Sequence, residues 1–115
     1  MSEIKLLPAG DRAMVVEFGN CIDEATNNNV HALAQKLKTA GILAIEELIP
    51  TFRSLMICYD PLRITYQELE EKVLLLSERL SSSEAHSSRV LEIPCCYGSH
   101  FGPDLPDLVN YSGLT

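Results

Sequence analysis

One stretch limits the fold more than any other, because residues 64–80 carry a helix whose start is written into the sequence. Thr65 and Glu68 stand at capping-box spacing, where each side chain satisfies a free backbone N–H at the other residue. Ile64 and Leu69 are placed as the hydrophobic staple across that start. Leu69, Val73, Leu76 and Leu80 then recur on one face, while Glu70, Glu71, Lys72 and Glu78 fall largely on the other. A helix with a single apolar stripe needs a second layer to cover it.

The sequence before this helix supplies that layer. Residues 4–7 and 13–18 read as strands joined by turn chemistry at Pro8, Ala9, Gly10 and Asp11. Asp11 is expected to bond its own backbone, with Arg12 facing solvent. A first helix follows, with Asp23 as N-cap, Val30, Leu33, Ala34 and Leu37 on its buried face, and Gly41 closing it. Asn27, Asn28 and Asn29 are weak helix formers, so its opening turns are either exposed or carry some other role. Residues 42–49, interrupted by Glu46 and Glu47, and residues 54–59 read as a second hairpin. Cys58 lies in the apolar run 55–59 and is expected to be a small buried hydrophobe.

The order ββαββα predicts an α+β fold, a ferredoxin-like sandwich of antiparallel strands with two helices on one face. Residues 1–80 would form this domain. Residues 81–88 contain five serines and read as a linker. Residues 89–97 read as another strand, with Pro94 marking an edge or bulge, and it either completes the first sheet or opens a second domain. Residues 105–111 read as one or two helical turns with Asp104 as N-cap and Pro106 in the first turn.

Charge and cysteine usage narrow the function. Nine Lys and Arg against sixteen Asp and Glu leave a net charge of −7, with no run of basic residues. Nucleic acid and anionic membranes are therefore excluded as main partners, since phosphate binding needs clustered cations. No apolar stretch has the ~20 residues of a membrane span, and residues 1–7, with one Lys and a short apolar patch, are not expected to act as a signal peptide. A cytoplasmic protein with reduced thiols is expected. Cys21, Cys58, Cys95 and Cys96 have no metal-site spacing, and no metal is assigned. There is no phosphate loop, nucleophile elbow or dinucleotide fingerprint.

Two segments carry candidate function. In Tyr97-Gly98-Ser99-His100-Phe101-Gly102-Pro103-Asp104-Leu105, two glycines and a proline leave Tyr97, His100 and Asp104 as polar groups near one another. A histidine and a carboxylate in one loop suit general acid–base work. The plainer reading has Asp104 capping a helix and Tyr97 packing. In Pro50-Thr51-Phe52-Arg53-Ser54, an aromatic and an arginine sit at a hairpin tip. Phe52 and Arg53 are candidates for partner binding if exposed, whereas a folded-back Phe52 would be a lid on the core, the expected outcome from aromatic burial. His31, beside the apolar stripe of the first helix, is expected at the surface or its boundary.

Three segments together resemble a known family. They are Gly10-Asp11-Arg12-Ala13 leading to Val16-Glu17-Phe18-Gly19, Ile49-Pro50-Thr51-Phe52-Arg53-Ser54-Leu55 leading to Tyr59-Asp60-Pro61, and Ile93-Pro94 with Tyr97-Gly98 and Phe101-Gly102-Pro103-Asp104-Leu105. Their order and spacing are similar to the allophanate hydrolase subunit 1 family, which includes the B-type subunit of 5-oxoprolinase and the KipI-type inhibitor of a histidine kinase. The resemblance implies an N-terminal α/β domain followed by a cyclophilin-like β-barrel, of which residues 89–115 would be the truncated start. It implies a subunit of an ATP-dependent amide-hydrolysing complex, inactive alone, with partners of the subunit 2 or C type and the A type. No cofactor would be held by this chain alone, and ATP is implied for the complex. The alternative it implies is an inhibitor that binds a histidine kinase. An unfinished barrel start exposes unpaired N–H and C=O groups, so residues 89–115 are expected to be disordered, to dock on the sheet edge of the first domain, or to pair between chains.

Overall fold

The structure, a computed structural model, describes residues 4–80 and 89–114. The expected linker, residues 81–88, lies outside the described residues. Four strands and three helices follow in the order β1 (Lys5–Pro8), β2 (Ala13–Glu17), α1 (Glu24–Ala40), β3 (Ile45–Pro50), β4 (Ser54–Tyr59), α2 (Tyr66–Ser77) and α3 (Leu105–Ser112), with a 3-10 turn at Ser99–Phe101 before α3.

The strands form one antiparallel sheet in the order β1-β2-β4-β3. β2 and β3 both run antiparallel to β4, so they are parallel to each other with β4 between them and α1 as their crossover. That is a split βαβ unit, as the ferredoxin-like reading requires. In the ordinary ferredoxin order, a strand after the second helix takes the edge beside the first. Here β1, from the start of the chain, holds that edge through the pairs Lys5↔Glu17 to Pro8↔Met14.

Alternation in the central strands sets the two layers. Met14 and Val16 of β2 and Leu55, Ile57 and Tyr59 of β4 are buried together with Val30, Leu33 and Leu37 of α1 and Leu69 and Val73 of α2. Both helices therefore cover one sheet face. The two glutamates that interrupt β3 are accommodated by a bulge between Ile45 and Glu47. Strict alternation would put Ile45 and Glu47 on the same face. The bulge instead keeps Ile45 and Leu48 toward the core while Glu47 pairs with Cys58 on the other side. That side has no helix over it among the described residues. Leu7, Val15, Met56 and Ile49 form a row across its four strands.

The helix starts follow local chemistry. Asp23 Oδ1 accepts from the Thr26 N–H at 2.7 Å, and Gly41 closes α1 at φ 64°. At α2 the Thr65 N–H donates to Glu68 Oε2 at 2.9 Å, and the Glu68 N–H donates to Thr65 Oγ1 at 3.2 Å. Ile64 and Leu69 are both buried, as a staple requires.

Three expectations are corrected. Cys58 is only half-buried, because the alternation that buries Ile57 and Tyr59 turns it to the uncovered face. Residues 89–97 form no strand, since their backbone pairs with none of the four strands and the edge beside β2 is already taken by β1. They therefore do not complete the first sheet. Asp104 occupies the N-cap position of α3, yet its side chain makes no capping hydrogen bond. Its own backbone is αR (φ −90°, ψ −7°), whereas a capping side chain works from extended backbone.

The caps give the fold an acid dependence. The Thr26 backbone N–H holds the Asp23 carboxyl below its ordinary value of 3.8, and the Thr65 backbone N–H holds Glu68 below 4.5. Both groups bind protons more weakly folded than unfolded. Their stabilisation is thus present above those ordinary values and lost as pH falls through the lowered ones. Thermal unfolding followed from neutral pH to about pH 3 should show a falling Tm in the acid range. An Asp23→Asn, Glu68→Gln variant, which keeps the hydrogen-bonding shapes, should show a shallower fall.

Candidate functional site

The two candidate segments fare differently. Around the tail loop, the Phe101 N–H donates to Gly98 O and the Gly102 N–H to Ser99 O, both at 3.2 Å. Gly102 is required here, because a Cβ would meet Tyr97 O at 2.3 Å. Ser99 takes a left-handed backbone, φ 53°. The His100 ring lies against Phe101, centroids 4.1 Å apart. Tyr97, His100 and Asp104 are all exposed, and no hydrogen bond joins them among the described residues. The loop keeps the three residues in one short segment but does not converge them on a shared proton.

The hairpin tip is, by contrast, tied into the fold from several sides. The Thr51 N–H donates to Ser54 O at 2.8 Å, and the Thr51 and Ser54 hydroxyls share a hydrogen bond of 2.6 Å. The Phe18 N–H donates to Arg53 O at 2.9 Å. Arg53 Nη1 donates to Gly19 O at 2.9 Å, and Asn27 Nδ2 donates to Phe52 O at 3.1 Å. Each of these last two bonds joins the tip to the β2–α1 connection or to α1 itself. Gly19 reaches the required position at φ 113°, a backbone that favours glycine.

This lock separates the roles of Phe52 and Arg53. The Phe52 side chain is 49% exposed, so the lid expected from aromatic burial does not form. Its backbone is held down while its ring projects, a rigid aromatic of the kind that anchors interfaces. Arg53 is half-buried and acts first as an internal tie. Asn27, in a run that is poor for a helix, has its other role here. The run of three asparagines in the opening turns of α1 is the signal that pointed to it. Gly19 as the acceptor for Arg53 had no local signal, because the two residues meet only through tertiary folding.

The remaining polar residues are plainer. Arg12 pairs with Glu46 at 2.9 Å on the surface, where such a pair contributes little. His31 is exposed, as expected. The four cysteines are free. No helix among the described residues is long and apolar enough to cross a membrane.

Truncations should sort these assignments. Phe52→Ala and Asp104→Ala should each change stability by less than about 0.5 kcal/mol, the range of surface positions. Arg53→Ala should cost about 1–2 kcal/mol through its half-buried tie to Gly19. Urea unfolding reads all three, and a loss of several kcal/mol in Phe52→Ala would restore the lid.

Known proteins resemble the chain in sequence and in fold. Residues 4–115 match the carboxyltransferase domain, subdomain C and D. The B-type subunit of 5-oxoprolinase from Bacillus subtilis (strain 168) is 32% identical over 120 residues, taking in 92% of this chain and 48% of that protein. A conserved uncharacterized protein of Pyrococcus horikoshii superposes with a TM-score of 0.62 at 37% identity, across 96% of this chain and 50% of that one. The Kluyveromyces lactis urea carboxylase, at 22% identity and a TM-score of 0.65 over 68% of this chain and 7% of that one, is alike in fold. The chain spans about half the length of the first two of these relatives.

Proposed function

The chain belongs to the carboxyltransferase subdomain C and D family, and from that premise we propose that it works as one subunit of an ATP-dependent amide-hydrolysing assembly. The substrate proposed is 5-oxoproline, opened to glutamate. The observation that carries this reading is the 32% identity to a B-type 5-oxoprolinase subunit across 92% of the chain.

The chemistry divides sensibly between subunits. Opening a five-membered lactam is unfavourable enough to require coupling to ATP. This sequence has no phosphate loop, so nucleotide binding and phosphoryl transfer are assigned to partner subunits of the A and C types. In the same reading the assembly is cytoplasmic, where ATP is available, and this chain holds no cofactor by itself. Tyr97, His100 and Asp104 stay candidates for a composite site, because exposed side chains can be brought into register by a partner surface.

The partner surface is proposed at two places. One is the hairpin tip, where a locked backbone presents Phe52. The other is residues 89–114, where Val90, Ile93, Tyr97, Phe101, Tyr111 and Leu114 are each more than 60% exposed. Six large apolar side chains left exposed within one segment suit contact with another polypeptide. In this reading residues 89–115 open a cyclophilin-like domain and residues 1–80 form the first domain.

Co-expression with A-type and C-type subunits from the same genome tests the proposal. The chain is expected to co-purify with them and to support ATP-dependent release of glutamate from 5-oxoproline. The chain alone should give no turnover. Turnover without partners would overturn the subunit role. Capture of a histidine kinase dimerisation domain, with no binding to either partner type, would replace the hydrolase reading with inhibition of a kinase.

A further inference from the structure

The sheet ends on one side at β3, which pairs with β4 and has no further strand beside it among the described residues. An edge strand presents a row of N–H and C=O groups to any chain that can lie along it. Next to this edge runs a groove of about 330 Å³, between β3 and the end of α1. Leu37, Ile42, Ile45 and Leu48 make its apolar lining, with Leu37 buried and the other three half-buried. Its charged lining residues are Lys38, Glu46 and Glu47.

The two faces of this edge differ. Ile45 and Leu48 border the groove on the helix side, whereas Glu47 and Ile49 lie on the uncovered side. Glu46 is engaged by Arg12 at 2.9 Å. The ion pairs among the described residues are Arg12–Glu46 and Arg63–Asp60, so Glu47 has no cation against it, and its neighbour in β4 is Cys58. A carboxylate thus stands at an open strand position with an empty place beside it. The same carboxylate disfavours a second copy as the occupant. If β3 paired antiparallel with its own copy, faces matched and most of the strand overlapping, Glu47 would fall opposite itself or opposite Ile49. The first opposes like charges, and the second sets a carboxylate against an apolar side chain. Pro50, with no N–H to donate, shortens the usable edge further.

We propose that the β3 edge takes up an extended segment of a different polypeptide as a fifth strand, one that alternates apolar and basic side chains. The backbone of that segment bonds to β3, an apolar side chain enters the groove beside α1, and a Lys or Arg on the alternate face stands opposite Glu47. The two requirements are compatible because neighbouring side chains of a strand point to opposite faces. Lys38 in the groove lining disfavours the reverse placement, with the basic side chain in the groove. Glu47 therefore both rejects self-pairing and selects the partner. The inference does not rest on the hydrolase reading.

Amide NMR spectra of the full chain, titrated with short capped peptides, test the proposal. One peptide alternates Val and Lys, another alternates Val and Glu, and a third is the Val–Lys peptide with its backbone amides N-methylated. The Val–Lys peptide is expected to give saturable shifts at Gly41 and from Ile45 to Ile49, with slower exchange along β3. The Val–Glu peptide should bind about fivefold more weakly, and the N-methylated peptide should not bind. Glu47→Lys, at an exposed position, should reverse the preference between the two charged peptides. Equal affinity for both charged peptides, binding undiminished by N-methylation, an unchanged preference in folded Glu47→Lys, or no saturation at millimolar peptide would overturn the inference. So would β3 shifts that follow chain concentration alone, which would give the edge to a second copy, or strand pairing by residues 89–93, which would give it to the chain's own tail. Because the readout is binding to this chain, failure to assemble a hydrolase would leave the result standing.

Discussion

Everything in this molecule depends on a sheet that is apolar on the helix side and pinned at its centre by two strands. β2 and β4 bury Met14, Val16, Leu55, Ile57 and Tyr59 on that side, and both helices cover it. Because side chains alternate along a strand, this fixes the register of the whole sheet. A shift by one residue would expose the core set and bury Ala13, Val15 and Glu17 in its place. The bulge in β3 follows from the same constraint. It lets an apolar edge strand carry two adjacent glutamates without burying either.

The tip of the second hairpin shows how such a scaffold positions chemistry. A loop between strands is ordinarily mobile. Here Asn27 holds the Phe52 carbonyl, and the Arg53 backbone and side chain hold Phe18 and Gly19. These bonds tie the tip to the end of β2 and the start of α1. A projecting aromatic is therefore held at one rigid end of the sheet. It is held there because the chain order brings the β2–α1 connection beside the β3–β4 loop, the neighbourhood created by a split βαβ unit.

What is legible in the sequence is local. Asp23, Gly41, Thr65 and Glu68 act within a few residues of themselves, so their roles can be read from spacing. The strands of both hairpins are legible for the same reason, since alternation and turn chemistry sit in one stretch of chain. The differences share the opposite property. Cys58 reads as buried because its neighbours are apolar, but its side of the sheet is settled by register. Phe52 reads as a lid on the general preference of aromatics, while its exposure follows from a backbone fixed by Asn27, far away in sequence. Residues 89–97 have the composition of a strand, yet a strand also needs a partner edge, and composition does not say whether one is free. At the candidate site, Arg53 is visible as a residue type in a motif. Its acceptor Gly19 becomes visible only in the folded chain.

The central claim is that residues 4–80 hold a cooperative two-layer fold to which residues 89–97 contribute no pairing. Hydrogen exchange on the full chain tests it most directly. The slowest amides are predicted in β2 and β4, with α1 and α2 close behind, and exchange at residues 89–97 near the rate of an unstructured peptide. Protection at residues 89–97 comparable to that of β4 would contradict it.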